Sequence, residues 1–239
     1  MIDYIRATLF LAFMWLSIPF ATALFLLLYP IPYQYRSKII AVWSKVCLSV
    51  LTFFCGLKFE ISGLENIPQK PCIIFCKHQS TWETMALQLY FTPQVWILKK
   101  ELLWVPFFGW TLASMKSIAI DRSSGKKALK QIVEQGKQRL DEGTWVVIFP
   151  EGTRTLPGKK PNYKIGGAML AKQSGYDVLP IAHNAGEFWP KGQYIKKAGT
   201  IKMVIGPVIK SSELKTKEIN QQAEEWIEST LSEIYEKQY

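Results

Sequence analysis

Charge is missing from the beginning of the chain. No charged residue lies between Arg6 and Arg36, and Ala7 to Tyr29 gives 23 consecutive uncharged, mostly apolar positions. As a helix that run would be about 34 Å long, enough to cross a hydrocarbon core of roughly 30 Å. Pro19 inside it predicts a bent or re-entrant insertion. A second apolar stretch, Val46 to Leu57, has only 12 residues. It is too short to span and predicts a helix lying in the interface or packed on the first. Joined around Pro30-Ile31-Pro32, the two predict a membrane-embedded helical hairpin. A cleaved signal peptide is the alternative, with Ala21-Thr22-Ala23 as the cleavage site. Retention is favoured because the apolar run continues through Leu24 to Leu28 and Asp3 balances Arg6.

After Gly56 the pattern changes to short apolar runs punctuated by glycine and proline. Lys58 to Ser62 alternates and ends in Gly-Leu-Glu-Asn-Ile-Pro, which predicts a strand and a turn. Further strands are predicted at Pro71 to Lys77, Gln94 to Leu98, Ser117 to Ile120, Trp145 to Phe149, Val178 to His183 and Ile201 to Ile209. Helices are predicted over Ser80 to Tyr90 and Gly166 to Ser174. Lys126 to Glu142 carries Leu129, Ile132, Val133, Gly136 and Leu140 on one face, and Leu214 to Tyr235 turns Ile219, Ala223, Trp226, Ile227, Leu231 and Ile234 inward. This alternation predicts an α/β fold, a mixed, largely parallel sheet flanked by helices. Residues 1–57 would be the anchor and 58–239 the α/β domain. Ligands of such sheets bind beyond the carboxyl ends of the strands.

Composition narrows the picture. The apolar share is 49 %, with nine tryptophans and thirteen phenylalanines, too little for a multi-pass membrane protein. The net charge of +10 fits an anionic membrane surface beside a hydrophobic anchor, at about 1 kcal/mol per juxtamembrane basic residue. No nucleic-acid motif accompanies it, so a nucleic-acid partner is not expected. Arg36, Lys38 and Lys45 follow the first apolar segment while only Arg6 precedes it, which marks the C-terminal side as cytoplasmic. Cys47, Cys55, Cys72 and Cys76 lie in apolar runs without CxxC spacing and read as buried thiols in a reducing compartment.

Two blocks carry chemistry: Lys77-His78-Gln79-Ser80-Thr81-Trp82-Glu83, and Phe149-Pro150-Glu151-Gly152-Thr153-Arg154. Each leaves a predicted strand. Neutral imidazole is an effective general base near pH 7, and a carboxylate on its other nitrogen fixes the tautomer. On one regular helix Glu83 would lie about 140° from His78, so pairing requires His78 in the loop before the helix. Ser80-Thr81-Trp82-Glu83 is equally a capping box, in which Glu83 returns to the backbone of Ser80. Both roles fit together only if its two oxygens divide them. Arg154 can fork onto a phosphate, and Arg122 and Lys99-Lys100 stand at other strand ends. Glu151 reads as an acceptor for a substrate hydroxyl or as a brace for its own loop. His183, in an apolar strand, reads as a satisfied core residue or one behind the site. A nucleotide P-loop and a serine-hydrolase elbow are excluded by spacing, and two histidines 105 positions apart make a zinc site a poor fit.

Four blocks in order support a resemblance: Lys77 to Glu83; Lys100 to Gly109 with Ile120-Asp121-Arg122; Phe149 to Arg154; and Val178 to Ile181. Over roughly residues 58–210 the chain resembles the 1-acylglycerol-3-phosphate acyltransferases, within the glycerolipid acyltransferase family marked by His-x4-Asp. The resemblance implies an enzyme that moves an acyl chain from acyl-CoA or acyl carrier protein to the sn-2 hydroxyl of lysophosphatidic acid, giving phosphatidic acid. It implies His78 as base and Glu83 as its carboxylate. Arg154 and Arg122, with Lys100 as a third cation, would hold the phosphate, and Glu151, Gly152 and Thr153 would line the glycerol. No metal or cofactor is implied. Membrane lipids are the expected surroundings, on the cytoplasmic face of the inner or plasma membrane. Glu83 replaces the family's usual aspartate, and Lys77 stands where asparagine is common. Relatives acting on another lysolipid or on glycerol 3-phosphate would share these blocks. A lysolipid or thioester hydrolase and a non-catalytic lipid-binding protein are the rival functions.

Overall fold

The computed structural model describes residues 1–236. Helix α1 runs over Ile2–Leu27 and continues through Pro19. Helix α2 covers Tyr33–Cys55, 23 residues starting directly after Pro32. This corrects the short segment expected at Val46 to Leu57: both helices are long and apolar enough to cross a membrane. The sequence pattern hid the first half of α2 because Arg36, Ser37 and Ser44 are polar, yet all three are buried. Gly56 ends α2 at φ +65°, a conformation that favours glycine.

The strands are β1 (Leu57–Ser62), β2 (Ile73–Cys76), β3 (Gln94–Lys99), β4 (Ile118–Ile120), β5 (Trp145–Ile148), β6 (Val178–His183) and β7 (Gly199–Ile205). Helices α3 (Trp82–Tyr90), α5 (Lys126–Asp141), α6 (Gly166–Ser174) and α8 (Thr216–Glu236) fall where periodicity predicts them, within a few residues at the ends. Two short helices, α4 (Phe108–Ser114) and α7 (Ala185–Phe188), were not anticipated. The strand expected to reach Ile209 ends at Ile205, before Gly206-Pro207, and Ile209 makes only an isolated bridge to Val178. Proline cannot donate to a ladder, which accounts for the early stop.

One seven-stranded sheet has the order β1-β7-β6-β2-β5-β3-β4. Every neighbouring pair is parallel except β6 with β7. The expected mixed, largely parallel sheet is therefore present. Alternate side chains divide two cores. Ile74, Cys76, Val147, Leu179 and Ile181 face one apolar cluster with residues of α1, α2 and α3. Ile73, Phe75, Val146 and Ile148 face the other, with α5, α6 and α8. Helices on both faces bury β2 and β5 completely, which is why these strands read as unbroken apolar runs.

The N-terminal helices are fastened to the rest. Phe10 packs edge-on against Trp189 at 5.4 Å between centroids. Thr22 Oγ1 lies 2.9 Å from Thr111 Oγ1 on α4. Arg36 donates to Ser114 Oγ and to its carbonyl oxygen at 2.6 and 2.8 Å. Its guanidinium also lies over Phe25 and Tyr29. Arg36 is thus an internal anchor, and Lys38 and Lys45 remain as exposed charges after α1.

Candidate active site

The parallel strands β6, β2, β5, β3 and β4 stand side by side and point the same way. Their carboxyl ends deliver in sequence His183, His78, the Glu151 to Arg154 turn, Lys99-Lys100 and Asp121-Arg122. Residues far apart along the chain meet because adjacency in the sheet brings them together.

His78 sits in the loop between β2 and α3, not on the helix. Its Nδ1 lies 2.7 Å from Glu83 Oε1. The same Oε1 accepts from the backbone N–H of Gln79 at 3.0 Å and of Ser80 at 2.9 Å, and Oε2 is 3.1 Å from Ser80 N. Glu83 therefore does both jobs that the sequence allows, but one oxygen carries most of the contacts and the work is not divided. Ser80 Oγ accepts from Trp82 N–H at 3.2 Å, a turn just ahead of the N-cap Thr81 of α3.

Burial alone would push the Glu83 carboxyl up, but His183, His78 and the Ser80 N–H outweigh it and hold the carboxyl below its usual range. His183 Nε2 lies 3.9 Å from Glu83 Oε2, and both ring nitrogens have other partners. Its Nε2–H donates to the Lys77 carbonyl at 2.7 Å and its Nδ1 accepts from Ala185 N–H at 3.2 Å. A second ring proton would collide with that N–H, and burial lowers the His183 pKa. The direct donors to the carboxylate are His78, Gln79 and Ser80.

The second loop grips the main chain of His78. Glu151 Oε1 accepts the His78 N–H at 3.1 Å, and the His78 carbonyl accepts from Thr155 N–H at 2.8 Å and Thr155 Oγ1 at 3.2 Å. The imidazole stacks on Phe149 with centroids 3.9 Å apart and planes 15° off parallel. With Nδ1 committed to Glu83 and the side chain 18 % exposed, Nε2 is the ring atom left to meet a substrate. Among the described residues it has no hydrogen-bond partner.

Arg154 Nη1 donates to Thr81 Oγ1 at 3.2 Å and forms no ion pair among the described residues. Arg122 donates to the carbonyl of Gly152. Both cations thus flank the turn at Gly152, whose φ of +72° favours glycine. Lys100 lies farther out and is paired with Asp121 at 2.5 Å. Thr153 is exposed on the turn. Glu151 is only 4 % exposed and braces the His78 loop; burial pushes its carboxyl up to about 7.

Sequence reasoning did not reach Thr155, Phe149 or the side chain of Lys77. Phe149 was visible as the last apolar residue before the turn, but its contact with His78 depends on β2 and β5 being neighbours. Among the described residues no group of three or more His, Cys, Asp or Glu side chains converges as metal ligands.

Comparison with known proteins extends this geometry. The family model described as Acyltransferase matches residues 58–184. A 1-acyl-sn-glycerol-3-phosphate acyltransferase of Pseudomonas aeruginosa is 47 % identical over 226 residues, 93 % of this chain and 86 % of that protein. A protein of the same name from Borreliella burgdorferi is 29 % identical over 171 residues, covering 70 % and 68 %. The crystal structure of the 1-acyl-sn-glycerophosphate acyltransferase of Thermotoga maritima shares the fold, with a TM-score of 0.82 at 22 % identity over 98 % of this chain and 96 % of that one. With the family's model matching more than half of the sequence and a bacterial relative alike along nearly all of it, the chain belongs to the acyltransferase family.

Proposed function

We propose that this acyltransferase moves an acyl chain from acyl-CoA or acyl carrier protein to the sn-2 hydroxyl of 1-acylglycerol 3-phosphate, giving phosphatidic acid. The observation that carries the reading is the His78 ring, with Nδ1 held 2.7 Å from an ionised Glu83 and Nε2 left open. Such a ring accepts a proton at Nε2 while the carboxylate stabilises the imidazolium that results. The names carried by the relatives from Pseudomonas and Borreliella support the acceptor.

The steps balance without a covalent enzyme intermediate. Nε2 takes the sn-2 hydroxyl proton as that oxygen attacks the thioester carbonyl. When the C–S bond breaks, the departing thiolate recovers the proton from Nε2, leaving a free thiol and an ester. Direct transfer is favoured because the cysteine next to the site is a poor nucleophile: burial pushes the Cys76 thiol far up. Arg154 and Arg122, on either side of the Gly152 turn, suit the acceptor phosphate, with Gly152 and Thr153 beside the glycerol and Lys100 as an outer cation.

In this reading residues 1–57 anchor the chain and 58–239 carry out the chemistry. Support comes from the unpartnered apolar surface: Phe20 is 77 % exposed on α1, Phe53 82 % on α2 and Trp104, just before α4, 84 %. Exposed aromatic residues of that kind on a basic protein suit an anionic bilayer, and the net charge of +10 favours its cytoplasmic face.

The test is product analysis. Detergent-purified protein given long-chain acyl-CoA and 1-acylglycerol 3-phosphate is expected to form phosphatidic acid and free CoA in equal amounts. Free fatty acid in place of the diacylated lipid would assign a hydrolase. Product only from another lysolipid or from glycerol 3-phosphate would reassign the acceptor.

A further inference from the structure

Lys77 precedes the histidine in sequence, yet its side chain is 0 % exposed. Its Nζ lies 2.5 Å from Glu228 Oε1 on α8 and 3.6 Å from Glu151 Oε1. Tyr163 donates to the same Glu228 oxygen at 3.0 Å, and its ring centroid is 6.0 Å from Nζ. Glu151 Oε1 in turn accepts the His78 N–H, while Glu151 Oε2 has no hydrogen-bond partner among the described residues. A continuous series of contacts therefore runs from the C-terminal helix to the main chain of the histidine. Glu228 lies well outside residues 58–184, which the family model matches.

We propose that Lys77 and Glu228 are positioning residues for His78: their ion pair governs the charge on Glu151, and Glu151 holds the histidine loop through its backbone N–H. The inference rests on His78 being the base. One ammonium faces two carboxylates. Glu228 is the nearer and takes the larger share of it, so Glu151 is left partly uncompensated. Among the described residues the other ionisable groups facing this cluster are Cys76 on β2, His183 at the end of β6, Tyr163 in the segment before α6, and Glu224 and Tyr235 on α8; His183 alone could carry positive charge, and burial disfavours that form. An ionised Glu151 accepts the His78 N–H more strongly than the neutral acid. The loop is consequently drawn tight when Glu151 is charged and relaxes as it protonates.

The two partners of the ion pair act on Glu151 with opposite sign. Glu228→Gln removes a nearby anion and leaves the ammonium to Glu151, which favours the charged form. Lys77→Met removes the cation and favours the neutral form. The experiment is the pH dependence of kcat and KM for the full chain in detergent, with acyl-CoA and 1-acylglycerol 3-phosphate, for the parent, Glu228→Gln, Lys77→Met and His78→Ala. The acid limb of kcat is expected to move to lower pH in Glu228→Gln and to higher pH in Lys77→Met. At pH 7 Lys77→Met should lose roughly tenfold in kcat with little change in KM. Limbs that coincide with the parent, or that move in the same direction, would overturn the proposal, since a merely structural pair would lower stability without displacing them apart. If Lys77→Met fails to fold, Glu228→Gln decides alone: a limb at lower pH supports the proposal and an unmoved limb overturns it. Full activity in His78→Ala would instead overturn the assignment of the base.

Discussion

His78 is held at four points: Nδ1 by Glu83, N–H by Glu151, the carbonyl by Thr155 and the ring face by Phe149. Locking the ring this way fixes the direction of Nε2, and small errors in that direction are costly to proton transfer. Glu83→Gln keeps the shape of the loop but removes the charge that stabilises the imidazolium. It is expected to lower kcat by about a hundredfold or more while KM stays near the parent value. Arg154→Ala, by contrast, should raise the KM for the lysolipid by roughly tenfold or more with a smaller effect on kcat. Steady-state kinetics on both variants separates the roles, and equal effects on both parameters in both variants would count against them. The pairing of His78 with Glu83 was legible because both lie in one short segment. The bracing role of Glu151 stayed open in the sequence, since it depends on β5 lying beside β2, which no local pattern specifies. The partner of Lys77 lay 151 residues away, beyond the reach of any spacing argument.

At the level of elements, Arg36 shows how a polar residue can disguise a helix. Counted as a loop charge, it shortens α2; buried against Ser114 and three aromatic rings, it ties α2 to α4. Arg36→Met should cost about 2–3 kcal/mol, because it leaves the Ser114 carbonyl and hydroxyl without their charged donor. Thermal unfolding in detergent would show this as a lower Tm, and an unchanged Tm would remove Arg36 as the anchor. Periodicity served well where one face of a helix meets the sheet. Ile219, Ala223, Ile227, Leu231 and Ile234 of α8 are all buried as that pattern predicts. It failed for α4, a seven-residue helix whose Phe108 and Trp110 remain exposed. A helix that short, with its aromatic residues facing outward, shows no inward stripe to detect.

The whole molecule combines a two-faced α/β core with an apolar surface on α1 and α2 and a row of strand ends where His78, the Glu151 to Arg154 turn and Arg122 stand. Because the buried residues of α1 and α2 share a core with the sheet, on the proposed reading a bilayer that takes up their outer faces would also fix the height of the strand-end loops above it. The chain of residues 1–239 is expected to float with anionic vesicles and to stay bound at about 0.5 M salt, where charge attraction is largely screened. Release by salt alone would mean that charge, not apolar insertion, does the holding. The most direct measurement of the central claim is the single-turnover rate of acyl transfer to 1-acylglycerol 3-phosphate in the parent and in His78→Ala, with the protein quenched and inspected for bound acyl groups. The expected result is a loss on the order of a thousandfold in the variant, with no acyl-enzyme in the parent. A variant rate close to the parent's, or an acyl group trapped on the protein, would contradict a histidine-driven direct transfer.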